Sequence, residues 1–380
     1  MSCFLQFLIT NVDYKRKDPV FWINVETTLN KYKQRQKRIP RYYSELEKLH
    51  SHLVFTLEDV LIPALPFCPL PRFDKDGNLV QKQWWLNIKL PRGPQDQTID
   101  SADPLEYKIQ LWLNRIAEHE RIQQSEGLRE FVESEVGFRP NLHKLSKPLS
   151  THITEQDVDP EYAFWTILLK SLSSHMQHCL TQNDKTFHEH RVMADHLMEL
   201  SFSFVSYGAM ERDPELFMLY KSIAKGFQQM SDIQRLQALA VYETTGIELS
   251  YQLRNVESTQ NALQRKLTTL SEYLTSKRHT ESSLRAVERL KSSVNINREQ
   301  ANEAIAILES ARTNENVCLQ HYKNVDENIR DDIEYKYKSN VTNDLKNTLK
   351  EYVKSQLYLE KKKLEVWQEI LNENKVDPLQ

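Results

Sequence analysis

The chain has 380 residues, with 50 lysines and arginines against 53 aspartates and glutamates and a formal net charge of −3 at pH 7. That length admits two or three domains at about 100 to 200 residues each. The near balance of charge argues against a nucleic-acid binder and requires any anionic partner to be met by a local basic patch. The four cysteines, Cys3, Cys68, Cys179 and Cys318, are too scattered for a metal knuckle or a disulfide framework, which fits a reducing, cytosolic compartment.

The first segment, "MSCFLQFLITNVDYKRKDP", has a short apolar run with no charged region before it and no small-residue cleavage site after it, so it reads as a strand. No window approaches the roughly 18 apolar residues of a spanning helix, and work at a membrane would be done from its surface. A second β-branched and aromatic run, "VFWINVETTL", follows. Next comes "KYKQRQKRIPR", with Lys31, Lys33, Arg35, Lys37, Arg38 and Arg41 and no acid. It reads as a solvated hairpin loop or as a nonspecific contact with anionic lipid, worth about 1 kcal/mol per base near the surface. A helical pattern begins at Ser44. Farther on, "NLVQKQWWLNIKLPRGP" sets Trp84 and Trp85 side by side, suited to packing on the domain or to an interfacial membrane contact.

Proline and glycine divide the chain. Eleven of the fourteen prolines lie between Pro19 and Pro148, and no glycine follows Gly246. The breaker-free stretch from Ile247 to Asp377 can be helix almost throughout. Apolar residues recur every three or four positions from Phe164 to Phe204, from Glu215 toward Leu290, and from Cys318 through Tyr322, Val325, Ile329 and Ile333 to Trp367. Asp213-Pro214 supplies a cap and a first-turn proline, and the polar "SSVNIN" suits a second bend. Three long antiparallel helices are expected. Their wide, drifting stripe suits a bending bundle rather than a strict two-stranded heptad rod.

His175, His178, His188, His190 and His196 are close in sequence, but on one long helix the two groups stand roughly 15 Å apart at about 1.5 Å per residue, too far to share an ion. No metal and no cofactor is expected. No phosphate loop, nucleophile elbow or paired catalytic carboxylate stands out, so an enzyme is not expected.

From Phe4 to about Arg139 the sequence resembles a PX domain, the phosphoinositide-binding module of sorting nexins. The matching features are the two strand runs, "RIPRYYSELEKLHSHL", the proline-rich "IPALPFCPLP", and "YKIQLWLNRIAEHERIQQSEGLREFVES". With long amphipathic helices after it, the chain resembles a PX-BAR sorting nexin. The resemblance implies an α+β PX domain followed by an all-α three-helix BAR domain of long antiparallel helices. The boundaries read as a PX-like domain over 1–140, a linker over 141–160, a BAR domain over 161–373 and a tail over 374–380.

In that family an Arg from the strand end grips the 3-phosphate, a Lys follows the proline turn, an Arg opens the next helix, and a Tyr packs under the inositol ring. Here the Tyr is Tyr43, but the three cation positions fall on Tyr42, Cys68 and Glu106. A carboxylate facing a phosphate repels it, and the usual pocket is expected not to bind phosphatidylinositol 3-phosphate. Arg41 is one residue away and faces the opposite side of a regular strand; only a bulge would bring it back. Near the second bend Lys277, Arg278, Arg285, Arg289, Lys291 and Arg298 outnumber the acids, and they read either as a mixed-charge solvated helix or as the basic tip of a BAR dimer meeting lipid headgroups.

The resemblance implies a cytoplasmic, peripheral coat subunit on the anionic endosomal membrane that senses or shapes tubules for retromer-linked retrieval to the Golgi. With its lipid pocket degenerate, the chain is most similar to the noncanonical subunit of a fungal retromer heterodimer. Its partners would be a second PX-BAR sorting nexin and the retromer core, with no nucleic acid. An autophagy-related PX-BAR sorting nexin and a coiled-coil scaffold or tether with a protein-binding PX-like domain are the alternatives.

Overall fold

A computed structural model describes residues 4–14, 18–68, 104–140, 159–292 and 298–373. Three strands, β1 (Leu5–Asp13), β2 (Val20–Thr27) and β3 (Gln36–Tyr42), lead into α1 (Tyr43–Thr56). Then come α2 (Pro104–Glu118), α3 (Glu120–Gln123) and α4 (Glu126–Glu133). The rest of the described chain is long helix. It comprises α5 (Pro160–Met210), α6 (Pro214–Val241), a π-helical turn at Tyr242–Gly246, α7 (Ile247–Lys291), α8 (Arg298–Asp331), a second π turn at Asp332–Tyr337, and α9 (Lys338–Glu373). The expected α+β module followed by three long helical runs is what the described residues form. The bend expected at 292–297 lies mostly outside them.

The chain divides into two compact units. One takes in residues 1–68, 108–173 and 254–339, and the other 69–107, 174–253 and 340–380.

The first unit holds the antiparallel sheet, in the order β1-β2-β3. Alternation along β1 and β2 sends Phe7, Ile9, Phe21, Ile23 and Val25 inward, as a half-buried strand requires. The same unit buries Leu46, Leu49 and Leu53 of α1, Trp112 and Ile116 of α2, and Phe131 of α4, all at most 7% exposed. A bulge between Ile9 and Asn11 interrupts the β1–β2 register, whereas β2 and β3 pair without a shift from Glu26↔Gln36 to Val20↔Tyr42. The turn from β3 into α1 is fixed by carboxylates. Glu45 accepts from the Tyr42 amide at 2.8 Å and from the Phe138 amide at 2.6 Å, and Asp18 accepts from the Ser44 hydroxyl at 2.6 Å.

In the second unit α6 starts as expected, with Asp213 accepting from the amides of Glu215 and Leu216 and Pro214 in the first turn. Its core joins Met230, Ile233 and Ala240 of α6 to Leu359 and Val366 of α9, with Leu197 and Ile370 against them. Gly226 allows α6 and α9 their close approach. A Cβ there would meet Ile370 Cδ1 at 2.2 Å, far inside contact distance.

Candidate membrane and partner surfaces

At the β3–α1 junction Tyr42 points outward, 39% exposed, and Tyr43 inward, 3% exposed. The Tyr43 hydroxyl donates to Pro66 O at 2.8 Å and accepts from the Cys68 amide at 3.2 Å. Burial pushes the Tyr43 pKa up to about 12, so the hydroxyl keeps the proton it donates. Tyr43 and Cys68 are therefore brought together, through the Tyr43 hydroxyl and the Cys68 backbone amide. Glu106 stands in the first turn of α2 and belongs to the second unit.

Much of the basic run is absorbed by the fold, which corrects part of the lipid-contact expectation. Arg41 is 2% exposed and cannot meet a headgroup. Its guanidinium donates to Phe131 O, Ser134 O and Pro40 O, and it lies 5.2 Å from the centroid of the Phe131 ring. Lys37 donates to Glu133 O at 2.8 Å, and Lys31 donates to Gln123 O and Ser125 O. Burial lowers the Lys31 pKa, and Glu126 opposes that shift. Of the carbonyls these three cations bind, Gln123 O lies at the end of α3 and Phe131 O, Glu133 O and Ser134 O at the end of α4, the ends at which a helix dipole favours positive charge. Lys33, Arg35 and Arg38 stay exposed, with Arg38 over the Trp22 ring at 5.0 Å. Trp84 and Trp85 lie outside the described residues.

Near the end of α7, Lys277, Arg278, Arg285, Arg289 and Lys291 are all exposed, as is Arg298 at the start of α8. Arg278, Arg285 and Arg289 fall within about 40° of one another at roughly 100° per residue, forming a single basic row. Of the five histidines on α5, His175, His178, His188 and His196 are exposed, and His190 shares a hydrogen bond with Gln234 at 2.7 Å.

Two surfaces escaped the reading of the sequence. On α9, Leu345, Leu349, Val353, Leu357, Leu364, Trp367 and Leu371 are 37–67% exposed. They cover about 120° of the helix beside the face that carries Leu359 and Val366, by the same 100° step. On α5, Met193, Leu200, Tyr207 and Met210 are likewise 45–83% exposed. Both helices thus have two apolar faces, and the period alone did not separate them. The second surface is a polar contact between Glu58–Cys68 and the helices α7 and α8. Its trace in the sequence is polar residues such as Asn255, Ser258 and Arg265 in the α7 stripe.

Residues 29–135 match the PX domain family, and residues 151–373 match the family described as Vps5 C terminal like. The chain belongs to the PX-BAR sorting nexins. Vacuolar protein sorting-associated protein 17 of Schizosaccharomyces pombe is 24% identical over 97% of this chain, which spans 64% of that relative's length. The cryo-EM structure of the SNX-BAR Mvp1 tetramer has a TM-score of 0.62 at 10% identity, covering 97% of this chain and 99% of that one, and so shares the fold. PX-BAR sorting nexins are structural, membrane-binding proteins rather than enzymes. Among the described residues, no helix is long and apolar enough to cross a membrane.

Proposed function

We propose that this sorting nexin is a peripheral coat subunit of endosomes that pairs through its long helices with a second PX-BAR sorting nexin. With the retromer core, the pair shapes membrane tubules for endosome-to-Golgi retrieval. The observation that carries the reading is the second apolar face of α5 and α9. Patches of this kind mark interaction surfaces in soluble proteins, and two long helices each carrying one suit a helical dimer. The relative's name supports an assignment to vacuolar protein sorting. The absence of the three expected cations at Tyr42, Cys68 and Glu106 supports a subunit that leaves lipid recognition to its partner. The domain limits proposed are 1–140, 161–373 and a joining segment between them.

Light scattering on size-exclusion fractions tests the pairing, with the chain alone and mixed with a PX-BAR partner. The expected result is a stable 1:1 complex only in the mixture, lost on Leu357→Asp with Leu364→Asp. A stable homodimer of the chain alone would overturn the partner-dependent reading.

A further inference from the structure

Between α1 and α2 the backbone of Glu58–Cys68 forms neither helix nor strand, yet Val60, Leu61, Ile62, Ala64, Leu65 and Cys68 are at most 8% exposed. Irregular backbone that is buried must find hydrogen-bond partners or lose stability. Here the long helices supply them. Arg265 of α7 donates to Glu58 O at 3.3 Å and Val60 O at 2.7 Å, and Ser258 donates to Ile62 O at 2.5 Å. Asn255 accepts from the Ala64 amide at 3.0 Å, and the Arg254 guanidinium lies 5.9 Å from the centroid of the Phe67 ring. From the other side, Trp112 donates to Pro63 O at 2.9 Å, and Tyr43 holds Pro66 and Cys68.

Asp332, the first residue of the second π turn and 1% exposed, closes the arrangement. Its carboxylate accepts from the Leu61 amide at 3.0 Å, His119 Nε2 at 3.1 Å, Arg121 Nη2 at 2.9 Å and Lys336 Nζ at 2.9 Å. His119 Nδ1 is buried without a partner, and Nε2, which faces the Asp332 carboxylate, is the nitrogen that donates. Three of the four donors come from the sheet-bearing module. A π turn widens the helix by one residue and is frequently found at functional sites.

We propose that Glu58–Cys68 is an intramolecular docking strap whose backbone is read by α7 and the π turn. It holds the sheet-bearing module in one setting on α7 and α8, and Asp332 is its positioning residue. The side chain that would lie under a lipid headgroup, Tyr43, is part of the same clasp, so the proline turn serves helix docking. The docking stands apart from the coat function. Its consequence rests on that function: in a tubule-shaping subunit the module's exposed basic residues are presented in a fixed direction rather than on a tether.

Hydrogen exchange on the full chain tests the strap, with Asp332→Asn and with Asn255→Ala combined with Ser258→Ala. Peptides over residues 57–68 are expected to exchange about tenfold faster or more in both variants, matching the loss of charged or buried hydrogen bonds. Peptides around Ala194 and Ala224 in the second unit should hold their rates. Mixed with a PX-BAR partner, the variants should still pellet with anionic vesicles but form fewer tubules. Unchanged exchange over 57–68 overturns the strap. Faster exchange with undiminished tubulation overturns its role in the coat. If Asp332→Asn does not fold, the Asn255/Ser258 variant decides. Wild-type protein that pellets with no vesicle refutes the coat reading and leaves the exchange result to judge the docking.

Discussion

The guanidinium of Arg41 and the carbonyl of Phe131 are joined twice, from Nε at 3.0 Å and from Nη2 at 2.6 Å, across a fully buried contact. A third bond reaches Ser134 O at 2.5 Å, so Arg41 acts as a C-terminal cap for α4 supplied by a distant strand. Arg41→Gln keeps a donor but loses the fork and the charge. Hydrogen bonds to charged groups contribute about 1.5–3 kcal/mol each and their loss leaves buried carbonyls unpaired, so the variant should be less stable by about 2 kcal/mol or more. Urea denaturation measures this. Vesicle binding should not change, in contrast to a surface base such as Arg35, and a variant of undiminished stability would refute the cap.

His50, packed near the Trp112 ring at 6.4 Å, has a buried Nε2 with no partner. Burial pushes its pKa down to about 4, with the Arg254 and Arg265 charges adding to the shift. The folded chain therefore resists a proton that the unfolded chain accepts near pH 6.5. Stability is complete above about pH 6.5 and falls as pH drops toward 4, by up to about 3 kcal/mol. Urea midpoints at pH 7, 5.5 and 4 should show the decline, and His50→Phe should flatten most of it. Burial also lowers His52, leaving a smaller residual slope. A wild-type profile that is level across this range would show that His50 is not held neutral.

At the expected lipid position a test can be made without disturbing the fold. Tyr43 is committed to Pro66 and Cys68, and Tyr42 brings no charge where a phosphate would need a guanidinium fork. Replacing part of the phosphatidylserine in vesicles with phosphatidylinositol 3-phosphate at matched net charge should leave binding by the isolated chain unchanged. Tighter binding on that exchange would show a working pocket.

The apolar period and the distribution of prolines made the first strand pair, the start of α1, the Asp213 cap and the three helical runs legible in the sequence. Each is a local pattern whose cause lies within a few residues. Gln36–Arg41, read as part of a hairpin loop, instead forms most of β3. What stayed hidden depends on contacts far apart in sequence. Arg41 reads as one base among six, and only the position of α4, some 90 residues later, turns it into a cap. Asp332 reads as one acid in "RDDIEY", and its four donors come from Leu61, His119, Arg121 and Lys336. Leu349 and Val325 belong to one apolar row in the sequence, but the first is 60% exposed and the second is fully buried.

The row Arg278, Arg285 and Arg289, with Lys291 two residues on and toward the opposite side of the helix, is an exposed basic surface at the end of α7. The bases from Lys31 to Arg41 are partly committed to helix ends, whereas these side chains stand exposed at the end of a long helix. Each base close to an anionic leaflet contributes about 1 kcal/mol, so Arg285→Glu, Arg289→Glu and Lys291→Glu together should weaken binding to phosphatidylserine vesicles by about a hundredfold or more at low salt. Because the attraction falls off within a Debye length of about 8 Å at physiological ionic strength, the deficit should shrink as salt is raised. Charge reversal on an exposed helix end leaves the core intact, and circular dichroism should be unchanged. Pelleting of the triple variant equal to wild type at low salt would remove this row from the membrane surface and leave Lys33, Arg35 and Arg38 as the basic surface to test next.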